Sequence, residues 1–347
     1  LLIRKARDIL TGTIRQGGWS MSHAARDVVL LGGFGRSGTG GVLRLLSPHP
    51  DIYATPYELR LLTDPDGLLS LESALIDNWT PWQADFAIDR FRRLAKTMGR
   101  TWGSAYTRSN YSGRFGPHYA EAVDALLERL VSFSYQGIWA GRATLLNKVL
   151  LRLTGHRRYS FNSREIFFAQ EVDREGFHRV TREFIQTLYE GVAGEKGANR
   201  ILINEPFVTQ APGRCMEMTG STRLIVACRD PRDSFGSFQT RDWSPRGLSE
   251  AVEFQSSVHR RWLEQRSRLP SEQVLQVRLE DLAADRDSVV RSLEKFLGLE
   301  ISPETIANTG FSAAKAHVGR WKKQFSEDQQ KLVTESFREI LTAYGYE

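Results

Sequence analysis

Apolar positions along this chain follow two rhythms. Near the start, Asp27–Leu31 is a β-branched and leucine run that leads into the glycine-rich stretch Gly32–Gly41. Consecutive apolar residues without polar alternation predict a strand covered on both faces, as in a parallel sheet. Val42–Leu46 continues as a short helix stopped by Ser47-Pro48, and Ile52–Ala54 predicts a second short strand. The continuous pattern returns at Arg200–Ile203, Thr222–Ala227 and Gln273–Val277, while helices are expected at Leu248–Arg268, Arg286–Leu297 and Ser326–Tyr344. Between these regions, residues 68–195 read mostly as helices and loops rich in aromatics, with helical spacing clearest over Tyr119–Leu130. The expected architecture is α/β, a parallel central sheet with flanking helices. Residues 1–26 are a peripheral segment, and 27–347 form a single domain with a helical, aromatic-rich insertion at about 68–195.

Composition narrows the function classes. The 347 residues are 41% hydrophobic and 25% charged, enough to bury a substantial core. No apolar run reaches the roughly 18 residues of a membrane span, and Arg4 and Lys5 follow Leu1–Ile3 too soon for a secretory leader. A soluble, cytoplasmic protein is expected. Because residue 1 is not Met, a lost upstream anchor and a Golgi-type lumen stay open. Two cysteines make no disulfide framework, and Cys228, ending an apolar run, reads as a small buried hydrophobe. The net charge of +6 favours an anionic ligand or surface. Without a lysine tract, recognition-helix signature or zinc spacing, nucleic acid is not the expected partner and no metal site is expected.

The richest segment is Gly32-Gly33-Phe34-Gly35-Arg36-Ser37-Gly38-Thr39-Gly40. Glycines let a backbone turn tightly and aim several N–H groups at one anion, and the helix that follows adds its positive end. Arg36 supplies a full charge, and Ser37 and Thr39 supply hydroxyl donors. Gly33 and Gly38 have the interval of a nucleoside triphosphate loop, but Thr39-Gly40 stands where that loop needs Lys-Ser/Thr. A second element is the apolar run Leu224–Cys228, which ends in Arg229-Asp230-Pro231-Arg232-Asp233-Ser234, with Ser237 eight positions after Arg229. Arg229 can fork onto phosphate oxygens and Ser237 can add a hydroxyl. The competing reading makes Arg229-Asp230 and Arg232-Asp233 solvated charge pairs.

Gly35–Thr39 resembles the 5′-phosphosulfate loop of the sulfotransferases that use 3′-phosphoadenosine 5′-phosphosulfate (PAPS), in the arginine-bearing form of tyrosylprotein and carbohydrate members. Arg229 and Ser237 match that family's 3′-phosphate clamp. The resemblance spans residues 27–60 and 200–347 and implies a P-loop NTPase-like sulfotransferase fold. It also implies that Gly35, Arg36, Ser37, Gly38, Thr39 and Gly40, with Arg229, Ser237 and Lys315, hold PAPS, or its product adenosine 3′,5′-bisphosphate, without a metal. Lys315 comes from a weaker likeness at Lys315–Lys322, where Trp321 reads as packing. Glu58-Leu59-Arg60 resembles the Glu-Thr-Arg of the tyrosylprotein enzymes, which makes Glu58 the expected general base, Arg60 the residue that orients it or the acceptor, and Arg36 the group that meets leaving-group charge. His317 is the second choice for the base. One departure is Asn204 in Asn204-Glu205-Pro206-Phe207, where family members carry a lysine; another is Gly319, near the place of an assisting serine. The implied activity is sulfuryl transfer to a hydroxyl or amine of a small-molecule, lipid, glycan or peptide acceptor. The alternatives are a P-loop nucleotide phosphotransferase and a non-catalytic nucleotide-binding protein on the same fold.

Overall fold

The computed structural model describes residues 25–100, 109–139, 145–153, 163–242, 244–309 and 317–346. Its main elements in chain order are β1 (Asp27–Gly32), α1 (Thr39–Leu46), β2 (Ile52–Ala54), α2 (Pro81–Gly99), α3 (Pro117–Leu130), β3 (Phe133–Gly137), α4 (Leu145–Leu153), β4 (Arg164–Phe168) and α5 (Arg174–Lys196). They continue as β5 (Arg200–Asn204), β6 (Arg223–Cys228), α6 (Pro231–Phe238), α7 (Leu248–Arg266), β7 (Val274–Arg278), α8 (Arg286–Leu297), α9 (Glu327–Ser336) and α10 (Arg338–Tyr344). The chain divides into two compact units: Arg26–Thr63 with Tyr189–Glu347, and Asp64–Leu188.

The first unit is built on a five-stranded sheet of order β2-β5-β1-β6-β7 in which every neighbouring pair is parallel. This is the α/β class expected from the continuous apolar runs. Val28, Val29, Leu30 and Leu31 of β1 are all buried, so both faces of the central strand are covered. On one face Val29, Leu31, Leu202 and Ile225 pack with Leu45 and Leu46 of α1 and with Val290, Leu293 and Leu297 of α8. Each such side chain contributes about 1.5–3 kcal/mol when fully buried. Helix α8 has the expected bounds, and local chemistry explains why. Asp285 caps it by accepting from Ser288 N at 3.0 Å, and Gly298 ends it in the left-handed conformation at φ 64°.

Parallel strands deliver their carboxyl ends to one edge of a sheet. From β1 the chain crosses to β2 on one side, whereas β5 is followed by β6 on the other side of β1. Such a reversal opens a crevice at the carboxyl edge, where α/β folds bind ligands. The segments leaving β1, β5 and β6 all emerge there. The C-terminal helix expected over Ser326–Tyr344 is instead two helices, α9 and α10, which meet at Phe337. Phe337 is buried against Phe235 and His259, a one-residue break that apolar spacing alone does not reveal.

In the second unit, α2 starts at a Thr80 cap that accepts from Gln83 N at 3.1 Å, followed by Pro81. It buries Ile88, Phe91 and Met98 on one face, and Tyr119 of α3 donates its hydroxyl to Ala95 O at 2.6 Å. This region was expected to be mostly helices and loops, yet it contains an antiparallel ribbon, β3 with β4. A buried Asp85 organises its end, accepting from Trp139 Nε1 at 2.7 Å and Phe167 N at 2.9 Å, with Arg164 as its ion-pair partner. No helix among the described residues is long and apolar enough to cross a membrane.

Candidate active site

The loop after β1 is held from beneath by its neighbour. Gly33 N donates to Pro206 O at 2.8 Å, and Thr209 Oγ1 donates to Gly33 O at 2.8 Å. A Cβ at Gly33 would collide with Ser37 Oγ, so only glycine fits. Ser37 is buried and its Oγ accepts from Phe34 N at 3.1 Å, closing the loop on itself. Gly35, Arg36 and Gly38 take φ of 69°, 60° and 99°. Left-handed backbone is ordinary for glycine but strained for arginine, and such strain concentrates at functional sites. Gly38 is also the N-cap of α1, whose first turn carries no acidic side chain, so the helix presents its positive end at the loop.

The second signature leaves β6 at Arg229 and runs into α6. Arg36 Nε donates to Ser237 Oγ at 3.0 Å, joining residues 201 positions apart. The Arg36 guanidinium is held below its ordinary pKa, first by desolvation and then by the cations Arg241 and Arg229. Three arginines therefore crowd one region, and a bound anion relieves their repulsion. Arg229 is buried; its Nη2 donates to His317 O at 2.6 Å, while its Nε has no hydrogen-bond partner among the described residues. A buried, unpaired guanidinium N–H next to like charges fits a multiply anionic ligand.

Residues 229–233 are not two solvated sequential pairs. Arg232 pairs back to Asp230 at 2.8 Å and lies over the Trp321 ring at 4.4 Å. The buried Asp233 instead accepts from Gly319 N at 2.6 Å and Trp321 N at 2.8 Å, with Arg229 Nη2 at 3.7 Å. Asp233 thus pins the segment carrying His317 to the helix carrying Ser237. Behind it, Glu280 accepts from Asp230 N at 2.9 Å and from Tyr346 Oη at 2.7 Å. Sequence reasoning missed Asp233, Arg241 and Thr209. The sequence carries no mark of Asp233's pairing with Gly319 and Trp321, and nothing in it pointed to the other two.

Glu58 and Arg60 lie in the segment that follows β2. Leu59 N donates to Asn204 O at 2.8 Å, which places this segment along the end of β5, the strand beside β1. Glu58 is exposed and Arg60 half-buried. Asn204 is buried and its Oδ1 has no hydrogen-bond partner among the described residues. His317 is exposed, and its carbonyl rather than its ring meets Arg229. Thr39 and Gly40 begin α1. Lys315 lies outside the described residues.

Residues 138–303 match the model of the sulfotransferase family, a stretch that contains Arg229 and Ser237. The glycine loop lies before the matched stretch, and the Arg36–Ser237 hydrogen bond ties the two together. Among solved structures, similarity is found to the sulfotransferase domain of the Synechococcus PCC 7002 olefin synthase, at 14% identity over 92% of this chain and 98% of that one, with a TM-score of 0.49. Sulfotransferase STF9 from Mycobacterium avium is similar at 16% identity over 99% and 80%, with a TM-score of 0.42. A retinol dehydratase solved with androsterone and the inactive cofactor PAP is similar at 12% identity over 90% and 80%, with a TM-score of 0.36. No curated protein matches the sequence.

Proposed function

We propose that the chain binds PAPS with Gly35–Gly40, Arg229 and Ser237, and that Glu58 takes the proton of the acceptor. The hydrogen bond from Arg36 Nε to Ser237 Oγ, at 3.0 Å, carries this reading. It brings the residue expected at the sulfated 5′-phosphate against the one expected at the 3′-phosphate. Bound PAPS supplies an activated sulfuryl group whose bond to the phosphate oxygen breaks as the acceptor oxygen bonds to sulfur. Arg36 and the N–H groups at the start of α1 hold the charge left on that phosphate oxygen. Glu58 accepts the acceptor's proton, and Arg60 orients the carboxylate. Asn204, in place of a lysine, offers a neutral hydrogen bond, so neutralisation of the leaving group falls more heavily on Arg36. Lys315 is assigned to the 3′-phosphate on sequence grounds. The acceptor is a hydroxyl- or amine-bearing small molecule, lipid, glycan or peptide.

Calorimetry with adenosine 3′,5′-bisphosphate, 5′-AMP and ATP tests the cofactor assignment. The expected result is magnesium-independent binding that requires the 3′-phosphate and weakens by about 10–100-fold in Arg229→Ala, the loss of a charge-assisted contact. Preference for ATP, or equal affinity for 5′-AMP, overturns it. For the base, Glu58→Gln should lower turnover of a sulfated reporter about 10²–10⁴-fold with bisphosphate affinity unchanged. Undiminished turnover removes Glu58 from the role.

A further inference from the structure

The second unit carries an exposed apolar surface outside the residues assigned to the cofactor and the base. Helix α4 shows Leu145, Val149 and Leu153 to solvent at 80%, 48% and 78% exposure. These residues are four apart and so lie on one helical face. The helix sits in the connection between the two strands of the ribbon, β3 and β4. On β3, Phe133 and Tyr135 are 42% and 43% exposed. Two apart on a strand, they share one face, with ring centroids 6.3 Å apart. A connected stretch thus presents an aliphatic stripe and an aromatic pair to water, which for a stable protein marks an interaction surface.

Charge identifies the occupant. Between Glu128 and Glu165 there is no acidic residue, while Arg129, Arg142, Lys148, Arg152, Arg157, Arg158 and Arg164 all fall inside that stretch. Arg129 is paired with Glu183 and Arg164 with Asp85. Lys148 and Arg152 are exposed on α4 itself, one helical turn apart. An apolar stripe flanked by lysine and arginine is the pattern of a helix that lies in the interface of an anionic bilayer, aliphatic side down, with aromatic rings at headgroup level. A second copy of the chain would bring the same cations against themselves, so self-association through this face is disfavoured. We propose that α4 and β3 dock this protein peripherally onto membranes bearing anionic lipids. The proposal stands apart from the cofactor assignment, because none of these residues belongs to the anion site.

Vesicle flotation of the full chain tests it. The probes are vesicles of phosphatidylcholine alone and of phosphatidylcholine with about 30 mol % phosphatidylserine. Binding is expected only to the anionic vesicles, and it should weaken as salt rises from about 0.1 to 1 M, where the screening length drops from about 10 to 3 Å. Lys148→Glu with Arg152→Glu should lower the partition coefficient at least tenfold. Leu145→Ser with Leu153→Ser should do so at fixed charge. Both pairs should keep the wild-type melting temperature and bisphosphate affinity, which shows that the variants are folded. Equal binding to neutral and anionic vesicles, no vesicle binding, or wild-type binding by both variant pairs overturns the proposal. So does concentration-dependent dimerisation lost with the leucine pair, which would make a second copy the occupant.

Discussion

Among single residues, Asp233 acts through its neighbours. Its two oxygens meet two backbone N–H groups, Gly319 and Trp321, and one of them also faces Arg229. Asparagine keeps the shape but turns one acceptor into a donor aimed at an N–H. Hydrogen bonds to a charged group are worth about 1.5–3 kcal/mol each. Asp233→Asn should therefore weaken bisphosphate binding by about 10–100-fold. Amide exchange at Gly319 and Trp321 should quicken in the same variant, and unchanged exchange there would show that Asp233 does not hold the segment. The sequence displays Arg229 and Ser237 because their types and interval match a phosphate clamp. It hides Arg241, which acts on Arg36 only through folded proximity. It also hides the pairing of Asp233, because sequential neighbours such as Arg232 and Asp233 look like partners until the chain turns them apart.

At the scale of elements, the glycine loop leans on helices that come much later in the chain. Phe34 packs against His259 of α7 and Tyr344 of α10, with ring centroids 4.5 and 5.7 Å apart. His259 is fully buried, with Nδ1 2.9 Å from Tyr344 Oη and Nε2 3.3 Å from Gln255 Nε2. Burial pushes its pKa down from 6.5 to about 3. The unfolded chain therefore binds a proton here at a pH where the folded chain does not. His259's contribution to stability is full above about pH 6.5 and declines on acidification at about 1.4 kcal/mol per pH unit until the folded pKa is approached. Urea denaturation at pH 7 and pH 5 should show a loss near 2 kcal/mol in the wild type that His259→Gln does not share. An identical pH response in both proteins would acquit the histidine.

The same scale shows what apolar spacing can and cannot deliver. The three inner strands, β5, β1 and β6, were legible because burial on both faces demands unbroken apolar runs. The ribbon was not legible, because two short strands with exposed aromatics impose no such demand: β3 buries none of its five residues. Helix α8 was readable to the residue, since a capping aspartate and a terminal glycine are chemical marks. The division at Phe337 leaves no such mark.

For the molecule as a whole, a net charge of +6 adds a long-range field to the local arginine cluster. Raising salt from about 0.05 to 0.5 M should weaken bisphosphate binding several-fold and slow association more than it speeds dissociation. Stopped-flow measurement separates the two rates. A salt response confined to dissociation would assign the effect to the contact arginines alone.

The hydrogen bond between Arg36 and Ser237 has a bearing on biosynthesis. The chain emerges from the ribosome amino end first, so the glycine loop is made about two hundred residues before the serine that meets it. Until β6 docks beside β1 and α6 follows, the early loop has its glycines and its strain but no counterpart. On the proposed assignment the nucleotide recognises only a chain whose later strands are in place, and its binding energy accrues entirely to completed molecules. In a cell that degrades unfinished chains, supply of the nucleotide would then set how many copies of the protein survive.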